Sequence, residues 1–379
     1  MKRLTVNNNE THRIDYTFAC TVLLIALWGT IMVFSAGSSY AEARYSDPLY
    51  FAKKQLIWLV IGLLIMFLSS KIDLSILEKY SIHLYLATIA LLILVLVVGM
   101  VGNGAKRWIS IGPITIQPSE ILKLTLPMLL AHYFSKYGDK ATDQKYRKNI
   151  LLYGTLIPLS IMLLPIILVA LQKHLSCVVI LGGIGVILIF LSGINPKYIT
   201  FFCLAGISVL TLLALFTDYT KERIVVWRNP EAYKLTGGWQ TLQGLMAIGS
   251  GGFFGVGLGK SILKHCYVSE PANDMIFTIL CEETGFLGAA ITMTIYALLI
   301  ARGCTIAIRS ENNFTRLLCL GICIKTALQT ILNIAVVTNT VPNTGISLPF
   351  FSYGGSSLIM LFFEMGLILS ASKTAKIMK

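Results

Sequence analysis

Charge is what this sequence has least of. Only 13% of its 379 residues are Asp, Glu, Lys or Arg, against about 25% in a soluble domain. Hydrophobic residues make up 55%, and the mean hydropathy is +0.75. No single soluble core needs that much apolar surface, so lipid must act as solvent for much of it. Acidic residues are scarcer than basic ones, 18 against 31, for a formal charge of +13. That excess does not mark a nucleic-acid binder. The basic residues sit in short connectors between apolar runs, which is the pattern of membrane topology.

Several chemistries are missing as well. Most of the eight cysteines fall inside apolar runs, where a free Cys behaves as a small hydrophobe, and only Cys266 sits in a long polar loop. The absence of a CxxC or a Cys/His cluster excludes a structural zinc or a disulfide framework. The five histidines are scattered, and none pairs with a Ser or Cys in a nucleophilic arrangement. There is no Ser-Lys acyl-transfer signature. No internal repeat is evident, which argues against an inverted-repeat transporter. The first apolar run follows a long polar start without a small-residue cleavage site, so it reads as a retained helix and not a signal peptide.

What is present is a series of apolar runs. They are Tyr16–Ala36, Gln55–Ser70, Tyr80–Val101, Ile121–Phe134, Ile150–Leu171, Leu175–Ile194, Ile199–Phe216, Met275–Ile300, Leu317–Val337 and Ser356–Ser370. Roughly 20 residues cross the hydrocarbon, so the shorter fourth and last runs recruit a further turn from their flanks. The expected fold is an all-α polytopic membrane protein of about ten transmembrane helices, one domain over 1–379. An even number of spans puts both termini on one side. With the N-terminus inside, the short outer loops hold only Arg44, Lys53, Lys54, Lys106, Arg107 and Lys173. The inner segments hold nearly three times as many Lys and Arg, which places both termini in the cytoplasm. The large loop 217–273, between the seventh and eighth runs, is then extracytoplasmic, and long loops of this kind usually carry function.

Four polar segments stand out. Gly249 to Gly259 reads GSGGFFGVGLG and precedes Lys260 and Ser261. The Walker spacing fails, because Phe254 stands where a glycine is needed. The open readings are a flexible re-entrant turn and a backbone packed closely around a ligand. Gln117-Pro118-Ser119-Glu120 opens a span, with Lys123 one turn in. Glu120 and Lys123 are either a self-neutralising pair at a helix start or part of a site. Lys106-Arg107-Trp108 lies just upstream and offers cations to a diphosphate. Ser269 to Asp274 closes the long loop. Asp274 reads as an N-cap or as a functional carboxylate, and Glu282 and Glu283 two turns deeper need a cavity or a partner. Thr344 to Ser357 leads into the last span. It is either a turn capped by Ser356 or a loop whose hydroxyls and N–H groups meet an anion at a helix N-terminus. Lys325, in mid-span, is paired or lines a polar cavity.

These segments, in this order, resemble the SEDS family (shape, elongation, division and sporulation) over essentially the whole chain. The carriers are SLPFFSYGGSS (Ser347 to Ser357), GAKRWISIGPITIQPSEILKL (Gly104 to Leu124), AIGSGGFFGVGLGKS (Ala247 to Ser261) and EPANDMIFTILCEETGF (Glu270 to Phe286). DPLYFAKKQLIWLVIG, Asp47 to Gly62, looks more like the cell-division branch, FtsW, than the elongation branch, RodA. The resemblance implies an inverting peptidoglycan glycosyltransferase that polymerises lipid II, a disaccharide-pentapeptide on undecaprenyl diphosphate, in septal wall synthesis. It implies an inner-membrane location with the active site on the periplasmic face. Its implied partners are a class B penicillin-binding protein, divisome proteins and the membrane, with no nucleic acid. Asp274 matches the family's catalytic aspartate. Candidate substrate contacts are Lys106, Arg107, Glu120, Lys123, Gln240, Ser352 and Ser356. No cofactor is required, although a divalent cation, Mg or Mn, at Asp274 is the second way to stabilise the leaving diphosphate. Two positions depart from the family. Asn273 replaces a His before the aspartate, which bears on its tuning. Gln172-Lys173-His174 replaces a Pro-Asp turn, exchanging a carboxylate for positive charge. A lipid II flippase and a non-catalytic scaffold that recruits a transpeptidase are the competing classes.

Overall fold

The computed structural model describes residues 14–102, 105–111, 114–142, 150–194 and 218–374, with a few isolated positions between 195 and 217. The first six helices are α1 (Tyr16–Tyr45), α2 (Tyr50–Ser69), α3 (Leu74–Val98), α4 (Pro118–Thr142), α5 (Ile157–Leu171) and α6 (Leu175–Leu191). A π-helical turn, Ile150–Leu156, leads directly into α5. Then come α7 (Asp218–Arg228), a 3-10 turn (Pro230–Tyr233), α8 (Trp239–Ser250), α9 (Ile276–Arg309), α10 (Asn313–Val337) and α11 (Gly355–Ser372). Nine of the ten apolar runs lie on these helices, the third running on into strand. The seventh, Ile199–Phe216, lies outside the described residues apart from isolated positions. Seven described helices are long and apolar enough to cross a membrane by length and composition. The chain is a multi-pass membrane protein.

Side-chain caps start several spans. The Asp15 carboxylate accepts from Phe18 N at 2.9 Å, Asp73 from Ser75 N at 2.9 Å and Asn312 from Phe314 N at 2.8 Å. Each satisfies a donor that the first helical turn leaves free. Large apolar side chains point outward along the spans. Val97 and Val98 are 69% and 72% exposed, and Leu24, Leu27 and Ile31 form a similar face on α1. In water such faces would be costly, and in lipid they are the expected surface. The bundle is held by α2 on α11, α9 on α10, α3 on α4, α4 on α10 and α1 on both α2 and α9.

One element departs from the all-helical expectation. Between α3 and α4 lies a small antiparallel sheet of β1 (Met100–Gly102), β2 (Ala105–Ile111) and β3 (Ile114–Ile116). The third span therefore stops at Val98, and the chain crosses the bundle end as strand. Ile109 pairs with Ile116 and Ile111 with Ile114, the β-branched side chains that favour a pleated surface.

Candidate active site

A cavity of about 1330 Å³ opens at the bundle end where α2, α4, α6, α9 and α11 begin. That exceeds the roughly 300–1,000 Å³ of ordinary small-molecule pockets and suits a large substrate. Arg107, Glu120, Lys123, Gln240, Asp274, Ser352 and Ser356 all line it. The loop after α10 and the segment before α9 bring most of them together. The Asn333 amide of α10 donates to Asp274 O at 2.8 Å and to Ile346 O at 2.7 Å. The Ser352 hydroxyl donates to Asn273 O at 2.8 Å and accepts from Leu348 N at 2.7 Å. Tyr353 N donates to Ala272 O at 2.8 Å. Ser352 is thus a brace for the backbone that carries Asp274, as well as part of the wall.

Asp274 does not cap its helix. Met275 occupies the N-cap position, with no side-chain cap bond. Gln240 sits close enough to the Asp274 carboxyl to favour its ionised form, but Oδ1 is buried without a protein partner. Burial and the nearby Glu270 charge push this carboxyl up to about 7, against weaker opposing effects of hydrogen bonds and Arg223. Such a value suits a group that must accept a proton near neutrality. Asn273, in the position of the family's His, donates to Glu270 Oε2 at 3.0 Å. It therefore ties down the carboxylate that raises Asp274.

Cations face Asp274 across the cavity. Arg107 Nε donates to Gln172 O at 3.3 Å, and its Nη2 donates to Lys173 O. The turn that departs from the family thus anchors the guanidinium through backbone carbonyls, which need no particular side chain. His174 lines the cavity, with Nδ1 3.4 Å from Ser119 Oγ. Burial, with Lys123 and Arg107 beside it, pushes this imidazole down to about 3, so the ring is neutral. Lys123 and Glu120 are paired at 2.6 Å and buried.

Lys106 is not brought into the cavity with the others. Its ammonium reaches back to Val97 O at 3.2 Å. Adjacent strand residues point to opposite faces, so β2 turns Arg107 inward and Lys106 onto the end of α3. Ser356 likewise does not cap α11. Gly354 holds that position without a side-chain bond, and Gly354 to Ser357 lie along the cavity wall.

The glycine-rich segment also has a different role from a ligand cradle. None of Gly249 to Gly259 lines the cavity. Its backbone meets α9 at a break, where Gly285 has φ 66° and ψ −168°. A Cβ on Gly255 would lie 2.3 Å from Glu283 O, so the close approach that needs glycine is to helix backbone. Glu282 and Glu283 find partners there and do not face the cavity. Lys325 is paired with Glu364 Oε2 at 2.6 Å, with both side chains buried. Lys325 and Glu120 share a small void of about 20 Å³ beneath the main cavity.

Sequence reasoning missed Glu364, Gln329, Asn333 and His174. Gln329 and Asn333 carried a usable signal: with Lys325 they recur every four residues, a polar stripe on one face of a span. His174 had no local pattern to mark it.

A cavity of this size at one end of a polytopic bundle, lined by a raised carboxyl and by Arg107 and Lys123, defines a membrane enzyme for a large anionic substrate. The chain matches the FtsW/RodA/SpoVE cell cycle protein family over residues 15–377, and it belongs to that family. It is 36% identical to the stage V sporulation protein E of Bacillus subtilis, covering 96% of this chain and 98% of that protein. It is 32% identical to the probable peptidoglycan glycosyltransferase FtsW of Geobacter sulfurreducens, over 98% of this chain and 99% of the relative. Several relatives carry the FtsW name, in line with the division-type Asp47 to Gly62 segment. Among solved structures, a chain described under structural coordination of polymerization and crosslinking by a peptidoglycan synthase complex superposes with a TM-score of 0.78. It is 26% identical and covers 95% of this chain and 97% of its own.

Proposed function

We propose that the protein is an inverting peptidoglycan glycosyltransferase that polymerises lipid II. The observation that carries this reading is the Asp274 carboxyl, raised to about 7 with one oxygen unpartnered, in a cavity also lined by the half-buried Arg107 and the buried Lys123. The hydroxyl of one sugar attacks the anomeric carbon of the other as the bond to diphosphate breaks. Asp274 takes the hydroxyl proton. Arg107 and Lys123 stabilise the charge that develops on the departing diphosphate. The donor is activated by its diphosphate, so no nucleotide is needed. The hydroxyl displaces the diphosphate directly in one step, without a covalent enzyme intermediate, so the anomeric centre inverts. Glu270 and Asp274 face the same cavity and supply the hard oxygens that Mg or Mn would take, adding Lewis-acid stabilisation.

In this reading the cavity faces the periplasm, both termini are cytoplasmic, and the enzyme works at the division septum with divisome proteins. Crosslinking falls to a class B penicillin-binding protein, since this chain has no acyl-transfer signature. A relative's synthase complex, described as coordinating polymerization and crosslinking, supports that pairing. The flippase alternative needs a path through the bundle. Glu120 and Lys123 on the cavity wall are buried and paired with each other, and Lys325, beside the small void, is buried and paired with Glu364; charges so neutralised in place favour chemistry over passage. The test is purified protein with labelled lipid II, alone and with a cognate class B penicillin-binding protein. Glycan strands are expected. Translocation without polymer would establish the flippase, and neither activity would leave the scaffold.

A further inference from the structure

The helix that follows Asp274 is in two pieces. Residues 276–284 form a short segment, and the main span resumes after Gly285. The break is closed by four backbone bonds from the glycine-rich loop. Val256 N donates to Glu282 O at 3.0 Å, Gly257 N to Glu283 O at 2.9 Å, Phe286 N to Gly252 O at 2.9 Å and Leu287 N to Phe253 O at 3.1 Å. These replace helical bonds that the break forfeits, and within a membrane such groups must be paired.

The side chains at the break add a second layer. Glu283 accepts from Lys264 Nζ at 3.0 Å and from Ser35 Oγ of α1 at 2.5 and 2.7 Å. Lys264 Nζ also donates to Gly259 O at 2.6 Å. Glu282 accepts from Ser261 Oγ at 2.5 Å, Ile262 N at 2.9 Å and Leu263 N at 3.3 Å. Lys264, Glu282, Glu283 and Ser261 are each 3% exposed or less. Burying two carboxylates and one ammonium is expensive, yet none of these groups lines the cavity. They touch no reacting atom. What they do touch is the short helical piece directly attached to Asp274, on the side away from the substrate.

We propose that Glu283, Lys264 and Ser35, with Glu282 and Ser261, form a positioning cluster that clamps the segment 276–284 between α1 and the glycine-rich loop and so sets where the Asp274 carboxylate stands. Without the clamp, only backbone bonds and the Asn333 amide hold the segment against tilting at Gly285. Glu283 lies about 13 Å along the helix from Asp274, at 1.5 Å rise per residue, so a small tilt there displaces the carboxylate. Misplacement by about 1 Å can cost on the order of a hundredfold in rate. The inference rests on Asp274 acting as the base.

The experiment measures lipid II polymerisation by full-length Lys264→Gln and Ser35→Ala, per binding-competent enzyme, beside Asp274→Asn as control. Lys264→Gln is expected to lower kcat by about tenfold or more, with KM within about twofold of wild type. Ser35→Ala removes one hydrogen bond from a charged acceptor, keeps the ion pair and folds. It is expected to lower kcat about threefold with unchanged KM. Wild-type kcat in both variants, with Asp274→Asn inactive, overturns the positioning role and leaves the proposed reaction standing. A loss confined to the amount of folded protein also overturns it. If Lys264→Gln does not fold, Ser35→Ala decides. An active Asp274→Asn overturns both the reaction scheme and this inference.

Discussion

Removing one end of the buried Lys325–Glu364 pair should cost more stability than removing both. At the observed 2.6 Å, the attraction is about 6 kcal/mol at an effective dielectric of about 20. Each ion loses several kcal/mol of hydration on burial, so the intact pair contributes little net stability. A single deletion strands a charge and costs about 3–5 kcal/mol. The neighbouring Glu120–Lys123 pair, closed at 2.6 Å, offers each stranded group one attractive and one repulsive charge, so both deletions should fall within that range. The double variant Lys325→Met/Glu364→Leu should lie within about 1–2 kcal/mol of wild type, since an apolar pair of similar volume is often neutral. The assay is equilibrium unfolding of the four proteins in mixed micelles, read as a double-mutant cycle. Single-variant costs that simply add in the double variant would refute the reasoning, because the pair would then have no coupling.

Other consequences follow from the same geometry. Glu120→Ala and Lys123→Ala should each impair polymerisation, and the charge-swapped double variant should recover part of the loss. Full activity in both single variants would exclude the pair from the site. Because the Asp274 carboxyl sits near 7, only its ionised form accepts a proton, so kcat/KM should rise about tenfold per pH unit below 7 and level off above it. Glu270→Gln removes a neighbouring negative charge and should move that limb to lower pH; an unmoved limb would show that Glu270 does not raise Asp274. In a Cys-free background, Lys140→Cys at the far end of α4 should resist an impermeant thiol reagent in intact cells. A cysteine at exposed Leu235 should react, and the opposite pattern would invert the topology.

Much of the fold was legible because lipid imposes long apolar runs, and the nine runs within the described residues lie on helices. The sheet at Met100–Ile116 was not, because Tyr80–Val101 is apolar without interruption and carries no mark where helix gives way to strand. Lys106 and Arg107 are neighbours in sequence, and only the strand shows that they face apart. The glycine-rich segment was ambiguous for a different reason. Glycine permits close approach but does not say to what, and here the answer is the broken α9. Glu364 lies alone in its span, and its meaning came only from Lys325, 39 residues away in sequence and 2.6 Å away in space. In one dimension Asp274 reads first as a cap, and only the family resemblance makes it a candidate base. The structure removes the cap reading by leaving Met275 at that position and Asp274 Oδ1 without a partner.

The central claim is that Asp274 is the catalytic carboxylate of a lipid II polymerase. The most direct measurement is glycan-strand formation from lipid II by purified Asp274→Asn, beside its thermal stability and substrate binding. Asn keeps the shape and cannot take the proton, so polymerisation should fall by roughly 10²–10⁴-fold with binding retained. The folded carboxyl titrates near 7, against 3.8 for its ordinary value. Wild type therefore loses stability as pH rises between those values, and the Asn variant should be at least as stable at pH 8. Near-wild-type polymerisation by Asp274→Asn would contradict the account, whatever its stability.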